Sequence, residues 1–172
     1  MNFGEALDSS LVKKYKTFAG RACRAEWYYF QIFSILLAVI VASVTGIIAG
    51  ASIDPDVIRD LSQEELTDYL VDSGSFNIVI YSTVAISVLL FLPSISVTVR
   101  RLQDLNITYF WALPYFITYI LGFYVILNQG EENAERLNSI SSLVFIVYLL
   151  AFAKKGEYKK NRFGENPLEK ES

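Results

Sequence analysis

Hydrophobic residues in this chain are gathered into four long stretches that contain no Asp, Glu, Lys or Arg. Their lengths are 27, 24, 26 and 17 residues, and they cover Trp27–Ile53, Phe76–Val99, Leu105–Gly130 and Leu137–Ala153. A helix needs about 20 mostly apolar residues, within a range of roughly 17–25, to cross a bilayer. None of the stretches has the polar stripe of a soluble helix. The pattern predicts an all-α integral membrane protein with four transmembrane helices, at about 27–52, 76–99, 106–128 and 137–153.

Basic residues are concentrated on one side of this predicted topology. Of the 15 Lys and Arg residues, 13 lie before the first span, between the second and third, or after the fourth. Loops rich in Lys and Arg remain in the cytoplasm. We therefore expect both termini to be cytoplasmic, with the gap between the second and third spans on the same side.

Two further segments flank the spans. Before the first span, apolar residues recur at spacings of four and three, which predicts an amphipathic helix lying in the cytoplasmic interface, capped by Asp8 or Ser9. The alternative is a flap packed on the cytoplasmic face of the protein. The apolar positions are Phe3, Leu7, Leu11, Tyr15 and Phe18.

The gap between the first and second spans is acidic and is expected to form a short helical outer loop. Asp54 and Pro55 match a helix cap followed by Pro at the first helical position. Ser62 and Glu65 match a capping box. Residues 1–168 are predicted to form one membrane domain, and residues 169–172 a disordered tail.

Small residues occur at every fourth position of the first span, at Ala38, Ala42, Gly46 and Gly50. Such a stripe lets another helix backbone approach closely, and we expect this contact within the chain rather than between chains. Pro93 in the second span is expected to kink its helix.

Composition argues against several kinds of chemistry. The chain has no histidine, and its single cysteine, Cys23, has no intramolecular disulfide partner. Histidine is the commonest metal ligand and a frequent general base. The sequence has no Gly-rich phosphate loop, metal-ligand cluster or nucleophile–base pair. We predict no catalytic residue, no metal, no cofactor and no nucleic-acid partner, although an active site built only of Arg, Asp, Glu and Asn stays open.

Three polar motifs lie beside the spans, all on the predicted cytoplasmic side. The first motif is FAGRACRAEW at Phe18–Trp27, the second is VRRLQD at Val99–Asp104, and the third is KKNRFGENP at Lys159–Pro167. The fold should bring them into one layer. The candidate cluster consists of Arg21, Arg24, Glu26, Arg100, Arg101, Asp104, Asn161 and Arg162.

The order of these motifs resembles the YhaH-like family, small bacterial inner-membrane proteins catalogued as a domain of unknown function. The matching patterns are F-x-G-R-x-x-R-x-E-W, P-x-x-x-x-x-x-R-R-L-x-D and G-x-x-x-x-N-R-[FY]-G-x-x-P, which begin at Phe18, Pro93 and Gly156. This chain has Gln103 where the family usually has His. The resemblance implies a four-helix, multi-pass protein of the bacterial inner membrane and no established activity.

Two roles are open for the arginines. Arg100 and Asp104 are four residues apart on one helix face and are expected to pair, whereas Arg101 points about 100° away and is expected to face lipid phosphate. Five arginines stand against the carboxylates of Glu26 and Asp104. The cluster is therefore either a set of structural ion pairs or a pocket for an anionic headgroup.

We hypothesise a non-enzymatic membrane protein whose arginine cluster engages anionic phospholipid headgroups or a partner protein. One alternative is a small transporter or channel, working as a homo-oligomer because four spans enclose little volume; a polar cavity within the spans would favour it. Another alternative is a lipid- or phosphate-processing membrane enzyme. An arginine pocket open to lipid, with a carboxylate beside the phosphate, would favour that.

Overall fold

The computed structural model describes residues 1–51, 53, 62, 65, 69, 74–128 and 132–169. Within these residues all regular structure is helical, apart from a single β-bridge between Asn161 and Gly164. The order is α1 (Phe3–Leu7), a π-helical segment (Asp8–Lys13), α2 (Arg24–Ala51), α3 (Ser75–Asp104), a 3-10 turn (Tyr109–Ala112), α4 (Leu113–Leu127) and α5 (Glu132–Phe152).

Four helical segments of the described chain are long and apolar enough to cross a membrane: Arg24–Ala51, Phe76–Asp104, Tyr109–Leu127 and Glu132–Phe152. Large apolar side chains, such as Ile47 and Leu150, lie exposed on them. The predicted all-α architecture with four spans is confirmed.

The ends of two helices differ from the sequence prediction. α3 continues to Asp104 instead of ending at Val99, so the second motif forms the last turns of a helix and not a gap. The helix can hold these charged residues because their side chains find partners inside the protein. α5 begins at Glu132, before the charge-free stretch. Pro93 lies inside α3 without ending it.

The chain divides into two compact units, Ser34–Leu89 and a larger unit made of Met1–Phe33 and Leu90–Ser172. In the smaller unit, Ser82 Oγ donates to Thr45 Oγ1 at 3.4 Å. Beyond the neighbouring residues and backbone of its own helix, no described atom lies within 4 Å of a Cβ built at Gly46 or Gly50. The described residues therefore do not supply the expected close contact at these two positions.

The N-terminal helix begins and ends earlier than expected. Asn2 caps α1, with its side chain accepting from Glu5 N at 2.8 Å and its own N donating to Glu5 Oε2 at 2.8 Å. Asp8 and Ser9 do not cap the start of a helix as expected, because Asp8 is the C-cap of α1 and both residues continue into the π-helical segment. The helical structure stops at Lys13, so the apolar pattern that reaches Phe18 overestimates its length.

The capping box in the outer loop is confirmed. Ser62 N donates to Glu65 Oε2 at 2.8 Å, and Glu65 N donates to Ser62 Oγ at 3.3 Å. Most of the predicted helical outer loop, including the Asp54–Pro55 cap, lies outside the described residues, as do residues 170–172 of the predicted tail.

Candidate functional site

The three motifs meet where α2 begins and where α3 and α5 end. Backbone hydrogen bonds join them: Ala22 N donates to Arg100 O at 3.0 Å, and Glu157 N donates to Asp104 O at 3.0 Å. Asn161 Nδ2 donates to Gln103 O at 2.9 Å. The segments before α2 and after α5 are thus both attached to the end of α3.

Arg100 and Glu26 form the first buried ion pair. Arg100 Nη1 lies 2.6 Å from Glu26 Oε1, and the two side chains are 0% and 1% exposed. The same oxygen accepts from Ser9 Oγ at 2.9 Å and from Ser10 Oγ at 3.4 Å. The expected pairing of Arg100 with Asp104 is wrong, because Glu26 at the start of α2 meets the guanidinium and other arginines occupy Asp104.

Asp104 receives two arginines. Its Oδ1 accepts from Arg21 Nε at 2.8 Å, and its Oδ2 accepts from Arg101 Nη1. Arg101 is 0% exposed, so the expectation that it faces lipid phosphate is also wrong. A carboxylate shared by two guanidinium groups balances only one of their charges, which leaves this part of the site net positive.

Backbone carbonyls after α5 bind the other ends of these arginines. Arg101 Nη2 donates to Phe152 O at 2.8 Å and to Lys154 O. Arg21 Nη1 donates to Lys159 O at 2.9 Å, and its Nη2 donates to Glu157 O. The last carbonyls of a helix have no intrahelical partner and attract positive charge. The buried cations therefore stabilise the C-terminal end of α5 and the segment that follows.

Gly156 lets this segment pass directly over Asp104. A Cβ built there would lie 2.5 Å from Asp104 Cγ and closer still to Oδ2. Since two arginines hold the carboxylate, it cannot move aside easily. Only glycine allows such a close approach.

The other three candidate residues lie at the edge of the cluster. Arg24 is exposed and donates from Nη1 to Ala153 O at 3.2 Å. Arg162 is also exposed; it donates to Asn106 O at 3.1 Å and lies 4.7 Å from the ring centroid of Phe163. Asn161 closes the β-bridge with Gly164 and shapes the third motif. The structure thus separates a buried cluster of Arg21, Glu26, Arg100, Arg101 and Asp104 from this rim.

Several side-chain atoms of the buried cluster form no hydrogen bond with the described residues. Arg100 Nε and Nη2, Arg101 Nε and Glu26 Oε2 are buried without a partner among them. Three buried arginines face two carboxylates, so the cluster carries one positive charge more than it balances.

A cavity of about 330 Å³ lies beside the buried cluster. Cationic Arg24, Arg101 and Lys155 line it, together with the acidic residues Asp104, Glu157 and Glu169. No described carboxylate lies within ion-pair distance of Arg24 or Lys155. The cavity therefore offers two positive side chains to an anion.

Cys23 also lines this cavity, but its thiol is a weak nucleophile. The side chain is buried, and desolvation is the main reason that the pKa of the thiol is raised. A raised pKa leaves little thiolate at neutral pH. In the described part of the chain, no group of three or more His, Cys, Asp or Glu side chains is placed to hold a metal ion.

Sequence reasoning missed several buried polar contacts. Ser9 and Ser10 were placed on an amphipathic helix, and nothing in their spacing indicates that they bind Glu26. Trp27 Nε1 donates to Thr98 Oγ1 at 3.1 Å. Tyr115 OH bonds Ser94 Oγ at 2.8 Å and accepts from Gln31 Nε2 at 3.2 Å. These partners are far apart in sequence, so local patterns cannot identify them.

Comparison with known proteins identifies a family for most of the chain. No curated protein and no solved structure gives a significant match. A family described as "Protein of unknown function (DUF805)" matches residues 15–165, which include the four long helices and both buried ion-pair groups. The match covers well over half of the chain, and so the chain belongs to the DUF805 family.

Proposed function

We propose that this protein is a non-enzymatic, multi-pass protein of the bacterial inner membrane that binds anionic phospholipid headgroups at the edge of the buried cluster. The motif order supports placing it with YhaH-like proteins. The observation that carries the proposal is the cavity of about 330 Å³ in which Arg24 and Lys155 have no described carboxylate partner.

In this proposal the buried arginines have a structural role and the exposed cations bind the ligand. Arg21, Arg100 and Arg101 are at most 3% exposed, and each donates to a carboxylate within the protein. A headgroup that displaced one of these contacts would leave a buried carboxylate without its counter-charge. Arg24 and Lys155 are exposed at the cavity and can contact phosphate without that cost.

The carboxylates of the cavity favour a particular kind of headgroup. Asp104 already accepts from two arginines. Glu157 and Glu169 also line the cavity and retain acceptor oxygens. One of these oxygens, Glu157 Oε1, accepts from Asn106 Nδ2 at 3.0 Å. Such oxygens accept hydrogen bonds from hydroxyl groups. A phosphate that carries a glycerol, as in phosphatidylglycerol, offers an anion to the cations and hydroxyl donors to the carboxylates.

The proposed orientation places this cavity in the cytoplasmic leaflet. Charge bias along the chain assigns both termini to the cytoplasm. Anionic lipids in that leaflet attract a basic residue near the surface by about 1 kcal/mol each. Arg24 and Lys155 would then attract the headgroup by about 2 kcal/mol together, a gain that repulsion from Glu157 and Glu169 of the same cavity offsets in part.

Thermal unfolding in detergent, with added phosphatidylglycerol or phosphatidylcholine of the same acyl chains, tests the proposal. A lipid that binds only the folded protein raises its unfolding temperature. We expect the anionic lipid to give the larger rise, and Arg24→Gln with Lys155→Gln to remove most of the difference. Lys160→Gln is the matched control, because Lys160 pairs with Glu165 at 2.6 Å and does not line the cavity. Equal stabilisation by both lipids would contradict the proposal.

One feature supports the alternative of a small oligomeric transporter or channel. A cleft of about 410 Å³ along the spanning helices is lined by the polar side chains Gln31, Tyr115, Thr118, Tyr119, Ser141 and Ser142 together with the apolar Phe145 and Ile146. Polar residues inside a membrane commonly mark solute pathways. Measurement of solute uptake into proteoliposomes, with Gln31→Leu as the variant, tests this role. Uptake equal to that of protein-free vesicles would exclude the solutes tested.

The alternative of a lipid- or phosphate-processing enzyme has weaker support. Asp104 already accepts hydrogen bonds from Arg21 and Arg101, one on each carboxylate oxygen, so it is poorly placed to take a proton from a substrate. The lipid experiment also bears on the alternative of a partner protein. If neither lipid raises the unfolding temperature, engagement of a partner protein is favoured over lipid binding.

A further inference from the structure

We infer that an apolar groove between α4, α5 and the connection after α3 holds one acyl chain of an anionic phospholipid, with the lipid phosphate beside Lys154. The groove has a volume of about 740 Å³, and its lining includes Leu105, Trp111, Pro114, Leu143, Val147 and Lys154. The inference rests on the proposed function, because it takes the same class of lipid as the ligand and adds a site for one of its acyl chains.

The wall of the groove suits a hydrocarbon chain. Apart from Lys154, every lining side chain is aliphatic, aromatic or Pro. The hydroxyl of Tyr148 does not leave an unsatisfied donor on this wall, because it donates to the carbonyl oxygen of Trp111. The volume falls within the roughly 300–1,000 Å³ of small-molecule sites.

The length of the groove matches one leaflet of a bilayer. Its lining along α5 runs from Leu143 to Phe152, which at 1.5 Å per residue is about 14 Å, and Lys154 follows two residues beyond the end of the helix. Half of the roughly 30 Å hydrocarbon core is about 15 Å. A chain in the groove would reach the middle of the membrane while its headgroup stayed at the level of Lys154.

Lys154 supplies the charge that selects an anionic lipid. Its side chain is exposed and has no carboxylate within ion-pair distance among the described residues. Its carbonyl oxygen accepts from Arg101 Nη2, which also donates to Phe152 O at 2.8 Å. Arg101 thereby fixes the backbone at the mouth of the groove, and this gives Arg101 a positioning role in lipid binding without contact to the lipid.

A fixed groove distinguishes one lipid from the surrounding bilayer. Lipid tails are as apolar as the protein surface, so packing rather than the hydrophobic effect drives association inside a membrane. A chain seated in the groove gains contacts along its length, and Lys154 adds attraction for phosphate. Selectivity for anionic over zwitterionic lipid should amount to about fivefold for one such cation.

Native mass spectrometry of the detergent-solubilised protein, incubated with equal amounts of phosphatidylglycerol and phosphatidylcholine, tests the inference. We expect the wild-type protein to retain one phosphatidylglycerol in preference. Ala151→Phe fills the groove and should lower lipid retention about fivefold or more. Ala85→Phe is the matched control, since Ala85 is exposed on α3 outside the groove. In an Arg24→Gln, Lys155→Gln background, Lys154→Gln should keep a bound lipid and lose the preference.

Unchanged retention by Ala151→Phe and by a second filling variant, Val147→Trp, would overturn the inference. The proposed function would still stand if Arg24→Gln with Lys155→Gln removed the stabilisation by anionic lipid. Conversely, loss of retention in Ala151→Phe, together with no effect of the Arg24 and Lys155 variants, would reject the cavity as a headgroup site and support the groove. Equal retention of both lipids by the wild-type protein would overturn the role of Lys154.

Discussion

Asp104 connects all three polar motifs through a single carboxylate. It accepts from Arg21 of the first motif and from Arg101 of its own helix. Through Arg21 it is connected to the carbonyls of Lys159 and Gly164 in the third motif. Because the side chain is buried, loss of its charge should disturb each of these contacts at once.

Asp104→Asn should therefore destabilise the protein strongly. The variant leaves two buried guanidinium groups without a counter-charge, and breaking a buried pair in this way costs about 3–5 kcal/mol. Thermal unfolding in detergent measures the loss. Adding Arg101→Gln should recover only part of it, since Arg21 would still lack its partner. Asp8→Asn, which removes an exposed pair with Lys13, should have little effect and serves as the control.

Gly156→Ala should also destabilise the protein, by about 1–3 kcal/mol, because the new methyl group overlaps the Asp104 carboxylate. Gly46→Ala provides the matched comparison. Beyond the neighbouring residues and backbone of its own helix, no described atom lies within 4 Å of a Cβ there, and Ala favours a helix over Gly. We expect the second variant to be at least as stable as the wild type. Similar unfolding temperatures for the two variants would show that Gly156 does not lie against Asp104.

At the scale of helices, the spans were predictable and the end of α3 was not. Long charge-free stretches have few alternatives to crossing a bilayer, since every backbone polar group must be bonded there. Whether the helix continues through Arg100 depends instead on its ion-pair partner Glu26, which lies 74 residues away in sequence. No periodicity within α3 contains that information.

The site, too, could be predicted only in part. The motifs identified the correct basic and acidic residues, but the four-residue spacing of Arg100 and Asp104 predicted the wrong ion pair. That rule describes neighbours on an isolated helix. Here Glu26 pairs with Arg100, and the carbonyls of Phe152 and Lys154 accept from Arg101; a distant carboxylate and backbone acceptors have no signature in the spacing of a helix.

The N-terminal segment offers a test at this scale. Ser9 and Ser10 attach it to Glu26, and hydrogen bonds to charged groups contribute about 1.5–3 kcal/mol each. Ser9→Ala with Ser10→Ala should release the segment and speed tryptic cleavage at Lys13, Lys14 and Lys16. Val12→Ala, at an exposed position, should be cleaved like the wild type. Unaltered cleavage of the double variant would mean that other contacts hold the segment.

At the scale of the whole molecule, the distribution of Lys and Arg predicts the orientation in the membrane. In a Cys23→Ala background, Asn128→Cys at the end of α4 should react with an impermeant thiol reagent added to intact cells or spheroplasts. Tyr158→Cys, at an exposed position beyond α5, should react only after the membrane is permeabilised. The opposite labelling would reverse the orientation and would place the lipid sites in the other leaflet.

The long sequence separation of the ion-pair contacts has a consequence for biogenesis. Arg21 donates to the carbonyls of Glu157 and Gly164, which are synthesised more than 130 residues later. Until that segment leaves the ribosome, Arg21 and Asp104 lack their final environment and must remain hydrated at the membrane surface. The first three spans therefore insert before the cluster can assemble, and the C-terminal segment completes the fold last. A chain that stops before Glu157 would leave Arg21 without these carbonyl partners and its guanidinium in water.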